Sequence, residues 1–133
     1  MARQAGRRRY LRRLVPDRSS FELTEEDVGD GVRVVVLRGD ADRFHAAAVT
    51  EAIAGARADG RAVVVDMAQT TFMDSSMLAA LVAASEGRRV PAGSLALVVG
   101  TPRLRRSLEV KGLGAILTVA DSREKAVELV RSA

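Results

Sequence analysis

Cysteine is absent from this 133-residue sequence, and so is tryptophan. Without cysteine there are no disulfides, thiolate metal sites or cysteine nucleophiles. Aromatic residues are scarce, three Phe and one Tyr, so a core has to be assembled from Val, Leu and Ala. His45 is the single histidine, which excludes a histidine-rich metal cage. No apolar run approaches the roughly 20 residues that cross a bilayer, so no membrane insertion is expected. The N-terminus is charged but no apolar stretch follows it, unlike a secretory signal. A Gly-rich phosphate loop is also missing, since Gly29-Asp30-Gly31 is too short to form one. The expectation is a cytoplasmic protein that carries no cofactor and no metal.

Apolar residues make up 47% of the chain, and its length suits one domain that buries roughly two-thirds of the surface exposed when unfolded. The net charge of +4 is unevenly spread. Residues 1–18 hold seven Arg against the single acid Asp17, whereas the other 14 basic residues are outnumbered by 16 acidic ones. The basic character therefore belongs to a tail, residues 1–18, expected to be disordered, and residues 19–133 form the domain. Arg-rich tails can bind nucleic acid or anionic lipid. Tyr10 is the only aromatic in this one, so there is no stacking platform for single strands, and direct contact with nucleic acid is not expected.

Along the domain, Phe21 to Leu23 begins a short strand, and Glu25-Glu26-Asp27 reads as an acidic turn. Val32 to Leu37 is almost continuously apolar and β-branched, as in a strand covered on both faces, with Gly39-Asp40 expected to end it. Helical spacing runs from Phe44 to Arg57, with Asp42 as cap and Asp59-Gly60 as stop. Ala62 to Val65 is a second buried strand, and Ser76 to Arg88 a helix with Leu78, Leu81 and Val82 on its apolar face. Pro91 and Gly93 turn the chain into the strand Leu95 to Val99. Thr101-Pro102 starts a helix that stops at Gly112. Ile116 to Val119 is the last strand, and Asp121 with Glu124 resembles a capping box that opens a final helix. The order β-β-α-β-α-β-α-β-α predicts an α/β domain, a mostly parallel mixed sheet of about five strands with four helices.

The chemistry is concentrated between Val63 and Leu81. A buried strand leads through a short polar crossing to Phe72-Met73, then to Asp74-Ser75-Ser76 at the mouth of an apolar helix. Asp and Ser cap helices routinely, and capping alone accounts for these residues. The same position is also suited to regulation. A phosphate of about −1.5 to −2 charges can be held among the unpaired N–H groups of a helix N-terminus, while disrupting a partner face packed on the neutral form. Both readings stand at this point. Nucleophilic catalysis would need a base beside the serine; His45 is the one candidate, and a lone helical histidine is usually structural, so the chain is not expected to be an enzyme.

The run Phe72-Met73-Asp74-Ser75-Ser76-Met77-Leu78 resembles the F-(M/L)-D-S-(S/T)-G-L signature of STAS-domain anti-sigma factor antagonists. Gly39-Asp40-Ala41-Asp42 matches that family's G-E-(I/L)-D, and Val64-Val65-Asp66-Met67 its strand-ending V-(L/V)-D-L. The stretch Arg106 to Leu113 is similar to its L-x-x-x-G-L turn. The likeness spans residues 20 to 131 and implies a bacterial regulator of transcription that works by partner switching. It implies Ser75 as phosphoacceptor with Ser76 as the alternative, and Asp42, Asp74, Ser76 and Met77 as partner-binding residues. The implied partners are an anti-sigma factor with a histidine-kinase-like ATPase fold, which phosphorylates the antagonist, and a serine phosphatase that reverses the step. Met77 stands where the family commonly has Gly, which implies a changed docking face. STAS domains also serve as accessory or scaffold subunits of membrane transporters and stress-sensing complexes, without the phosphorylation cycle; that is the alternative role.

Overall fold

The computed structural model describes residues 9–12, 21–85, 95–112 and 117–131. They form β1 (Arg9–Arg12), β2 (Glu22–Asp27), β3 (Val32–Ala41), α1 (Arg43–Ala58), β4 (Ala62–Met73), α2 (Ser75–Ser85), β5 (Leu95–Val99), α3 (Pro102–Val110), β6 (Thr118–Ala120) and α4 (Arg123–Arg131). The six strands lie side by side in chain order. β1, β2 and β3 are antiparallel neighbours, and β3 to β6 run parallel. The expected α/β order is present, with β1 added at the edge. The Pro91 and Gly93 turn, the end of the second helix at 86–88, Leu113 and Ile116 lie outside the described residues.

Parallel strands that are sequential neighbours must be joined by crossovers of one hand, which brings their helices to one face. The core shows this. Val35, Leu37, Val63, Val65, Met67, Leu97 and Val99 point toward Val49 and Ile53 of α1, Met77 and Leu81 of α2, and Leu104 and Leu108 of α3. The alternate residues Val32, Val34, Val36, Val64, Ala96 and Val98 meet Ala126 and Val130 of α4 on the opposite face. Coverage on both faces explains the nearly continuous apolar run in the first part of β3 and the unbroken one of β5.

Several expectations are corrected. Glu25-Glu26-Asp27 is not a turn but the second half of β2, with Asp27 directly across from Arg33. The acidic residues tolerate strand positions because arginines receive them: Arg33 Nε is 2.6 Å from Asp27 Oδ1, and Arg123 Nη1 is 3.0 Å from Glu26 Oε1. Within the basic segment, Arg9–Arg12 pairs with β2, which offers an otherwise open hydrogen-bonding edge, and the rest of residues 1–18 lies outside the described residues. The last helix is capped by Ser122, whose Oγ accepts from Lys125 N at 3.1 Å, and Asp121 is instead turned to Arg105.

The correction that matters most for function concerns Gly39-Asp40 and the polar crossing after Val65. Neither ends a strand. β3 and β4 stay paired as far as Ala41 and Met73, with register shifts at Val36/Arg38 and Gly39/Asp40 where β4 carries one extra residue each time. Gly39 takes φ 87°, a conformation that suits glycine at such a bulge. Thr70 Oγ1 donates to Leu37 O at 3.0 Å, satisfying a buried carbonyl beside the irregularity.

β5 pairs with β4 only as far as Val99 opposite Met67, and Gly100 follows directly. A Cβ at Gly100 would lie 2.8 Å from Ala68 O and 3.0 Å from Ala68 Cα, both backbone atoms. Gly100→Ala should therefore lower stability by about 1–3 kcal/mol, the usual range for overpacking. Urea denaturation measures it, and an unchanged midpoint would contradict the close approach.

Candidate functional site at two helix starts

Because β3 and β4 end in register, α1 and α2 begin side by side. Each start has an aspartate cap. Asp42 Oδ1 accepts from Phe44 N at 3.0 Å and lies 2.9 Å from His45 Nδ1. Asp74 caps both helices at once: Oδ1 accepts from Met77 N at 3.0 Å, and Oδ2 from Arg43 N at 2.8 Å. Its own N–H donates to Ala41 O at 3.2 Å, tying the cap to the end of β3. One carboxylate thus sits at the positive ends of two macrodipoles, where negative charge is stabilised.

Ser75 is the first residue of α2, and both Ser75 and Ser76 are exposed. Two of the chain's three phenylalanines stand at this end with their rings in solvent, Phe44 73% and Phe72 52% exposed. Between them Thr71 Oγ1 donates to Asp40 Oδ1 at 2.8 Å. The Arg43 guanidinium lies 5.2 Å from the centroid of the Phe44 ring.

Of the residues singled out from sequence, the structure brings Asp42, Asp74, Ser75 and Ser76 to this end of the fold. Met77 is a correction. Its side chain is fully buried with Leu81 in the core, so it is not a partner contact, and its place in the first turn directs it inward while Ser75 and Ser76 face out. His45 is likewise buried. It stacks on Phe21 with ring centroids 3.9 Å apart, its Nδ1 facing Asp42, as a structural histidine does. Sequence reasoning missed Arg43, Phe44 and Phe72 as surface residues of the site. The available signal was their adjacency to the caps: Phe44 follows Asp42 by two positions, and Phe72 precedes Asp74 by two.

Asp74→Ala removes a helix cap and the hydrogen bond that joins the two helix starts. The cap accounts for about 0.5–2 kcal/mol and a further hydrogen bond to a charged group about 1.5–3. With the exposed site allowing water to replace part of this, a loss of about 2 kcal/mol is expected in urea denaturation. A loss no larger than that of a surface alanine substitution would show that Asp74 does not hold α1.

Comparison with known proteins agrees with this geometry. A family model described as Mlab, STAS domain matches residues 25–119. Among solved structures, the chain is similar to an anti-sigma factor antagonist from Mycobacterium paratuberculosis, with 27% identity, a TM-score of 0.70, and coverage of 88% of this chain and 97% of that one. It shares its fold with the Bacillus cell fate determinant SpoIIAA in the phosphorylated form, at 23% identity and TM-score 0.56 over 82% of this chain and 97% of that one. The same holds for the anti-sigma factor antagonist SpoIIAA in its unphosphorylated form, at 24% identity and TM-score 0.61 over 86% and 98%. No curated protein sequence matches. No helix among the described residues is long and apolar enough to cross a membrane. With a family model matched over most of its length and the six-stranded fold to go with it, the chain belongs to the STAS-domain family.

Proposed function

We propose that this protein is an anti-sigma factor antagonist whose docking face is the paired start of α1 and α2, switched by phosphorylation of Ser75. The observation that carries the reading is the exposed Ser75 at the first position of α2, at the same end of the sheet as the exposed Phe44 and Phe72. Large aromatics are the side chains that anchor protein interfaces, and exposed ones beside a modifiable hydroxyl couple docking to charge. The similarity to the mycobacterial antagonist supports the same role.

In this mechanism the unmodified domain binds an anti-sigma factor of histidine-kinase-like ATPase fold and frees the sigma factor. The partner transfers the γ-phosphoryl group of its own ATP to Ser75 Oγ; the hydroxyl proton is released and ADP leaves. The dianion stays solvated at the helix mouth, but the apolar partner face that had packed against a neutral hydroxyl is now opposite a charge, and the complex dissociates. A serine phosphatase restores the starting state. The chain is the substrate in this cycle and not the enzyme, consistent with a histidine turned to Asp42 and buried.

Met77 in place of the family's Gly would favour the accessory-subunit alternative only if its side chain stood on the docking face. With Met77 inside the core, that difference leaves the docking face unaltered and gives the alternative no support.

Incubation with such a kinase and ATP, followed by mass spectrometry of the peptides, should find a single phosphate on Ser75. A phosphate on Ser76 would shift the acceptor by one position. No phosphate on either would refute the switch.

A further inference from the structure

Arg43 opens α1 directly beside the start of α2, its N–H 2.8 Å from Asp74 Oδ2. The Asp74 carboxylate thus links the first residue of α1 to the start of α2, where Ser75 is the first residue. The Arg43 guanidinium makes no ion pair among the described residues and rests over the Phe44 ring. Arg33, Arg105, Arg123 and Arg131 differ in this respect, each holding a carboxylate. The acidic groups around Arg43 are engaged elsewhere: Asp74 with two backbone N–H groups, Asp42 with Phe44 N and His45, Asp40 with Thr71. Among the described residues Arg43 is thus an exposed cation without a carboxylate partner, at the same paired helix starts as Ser75 and against the exposed Phe44 ring.

We propose that Arg43 is the built-in counter-cation for a phosphate on Ser75, and that the phosphate draws it off the Phe44 ring. The inference rests on Ser75 being the modified residue and adds how the modification is felt within the molecule. A phosphate here joins Asp40, Asp42 and Asp74, so like charges oppose it and a nearby cation is needed to offset them. The planar fork of a guanidinium can grip a phosphate through two hydrogen bonds, a stronger arrangement than an exposed contact with an aromatic face. Movement of Arg43 then strips Phe44 of its cationic cover in the same event that adds charge at Ser75. Phosphorylation in this way alters two features of the docking face, the hydroxyl and the neighbouring ring.

The test uses the full chain carrying phosphoserine at position 75, installed during synthesis with no kinase or partner present. Phosphorus NMR follows the second ionisation of the phosphate as pH is varied. A nearby cation favours the dianion, so Arg43→Gln should raise this apparent pKa by about half a unit or more, with Arg43→Lys in between. Arg131→Gln, on the opposite face of the sheet, should leave it unchanged. The Phe44 ring proton resonances should shift on phosphorylation in the parent and not in Arg43→Gln. Identical phosphate pKa values in the parent and in folded Arg43→Gln would overturn the proposal, as would Phe44 resonances indifferent to the phosphate. Since the phosphate is placed by synthesis, a kinase that fails to modify Ser75 counts against the proposed function alone.

Discussion

Arg33→Ala should be among the more damaging truncations in the domain, with an expected loss of about 3–5 kcal/mol, the range for stripping one partner from a buried ion pair. Arg33 is the hub of an acidic cluster. Its Nε and Nη2 are 2.6 and 3.3 Å from the two Asp27 oxygens, a bidentate grip, and Asp59 Oδ2 and Glu25 Oε1 are 3.1 and 3.8 Å away. Glu25 and Asp27 are only 3% and 5% exposed, so without Arg33 their charges lose the principal cation that compensates their desolvation. Arg61, 3.6 Å from Asp27 and 32% exposed, offsets only part of the loss. The guanidinium is held above its ordinary pKa, chiefly by the Asp27 hydrogen bond and against the opposing effect of burial, so it stays charged at every pH at which the domain folds. Denaturant unfolding measures the loss. Asp27→Asn in the Arg33→Ala background should recover part of it, because it removes a stranded charge rather than a contact. A loss below about 1 kcal/mol would mean that water reaches the cluster and that the pair is a surface one.

Ser75→Asp should weaken binding to a histidine-kinase-like anti-sigma factor by about a hundredfold, near 2.7 kcal/mol. The carboxylate places one negative charge where the phosphate places nearly two, at the same helix mouth. It therefore reproduces much of the repulsion without unfolding α2, whose first turn favours acidic residues. Ser75→Ala should bind as the parent does, which separates charge from the loss of the hydroxyl. Calorimetry or surface plasmon resonance with the purified partner gives both values. Equal affinity for the Asp and Ala variants would show that charge at this position does not govern docking.

Legibility followed burial. Where both sides of a strand are covered, as for Val32 to Leu37 and Leu95 to Val99, a short and nearly continuous apolar run between turn residues reads as a buried strand. Caps were legible for a similar reason. Asp42 and Thr101 each supply the oxygen that an orphan N–H needs, and both caps are present in the structure. The readings failed where polar residues lie in strands. Glu25, Asp27, Asp66 and Thr70 look like turn or crossing residues in one dimension, but each is buried with a partner on another strand or helix. Arg33, Arg123 and the Leu37 carbonyl receive them.

By itself, then, the sequence determined the alternation of strands and helices, the placement of Ser75 after a capping aspartate, and the kinship that its motif implies. These are local properties, set by periodicity over a few turns and by hydrogen bonds spanning two or three residues. The tertiary structure alone decided that β3 and β4 run on together to Ala41 and Met73, because pairing across the sheet overrides residues that would end a strand in isolation. That extension lets Asp74 cap two helices, turns Met77 into the core and leaves Arg43, Phe44 and Phe72 facing solvent at the same end as the serine. No sequence pattern encodes such convergence, since it depends on where two chain segments stop relative to each other in space.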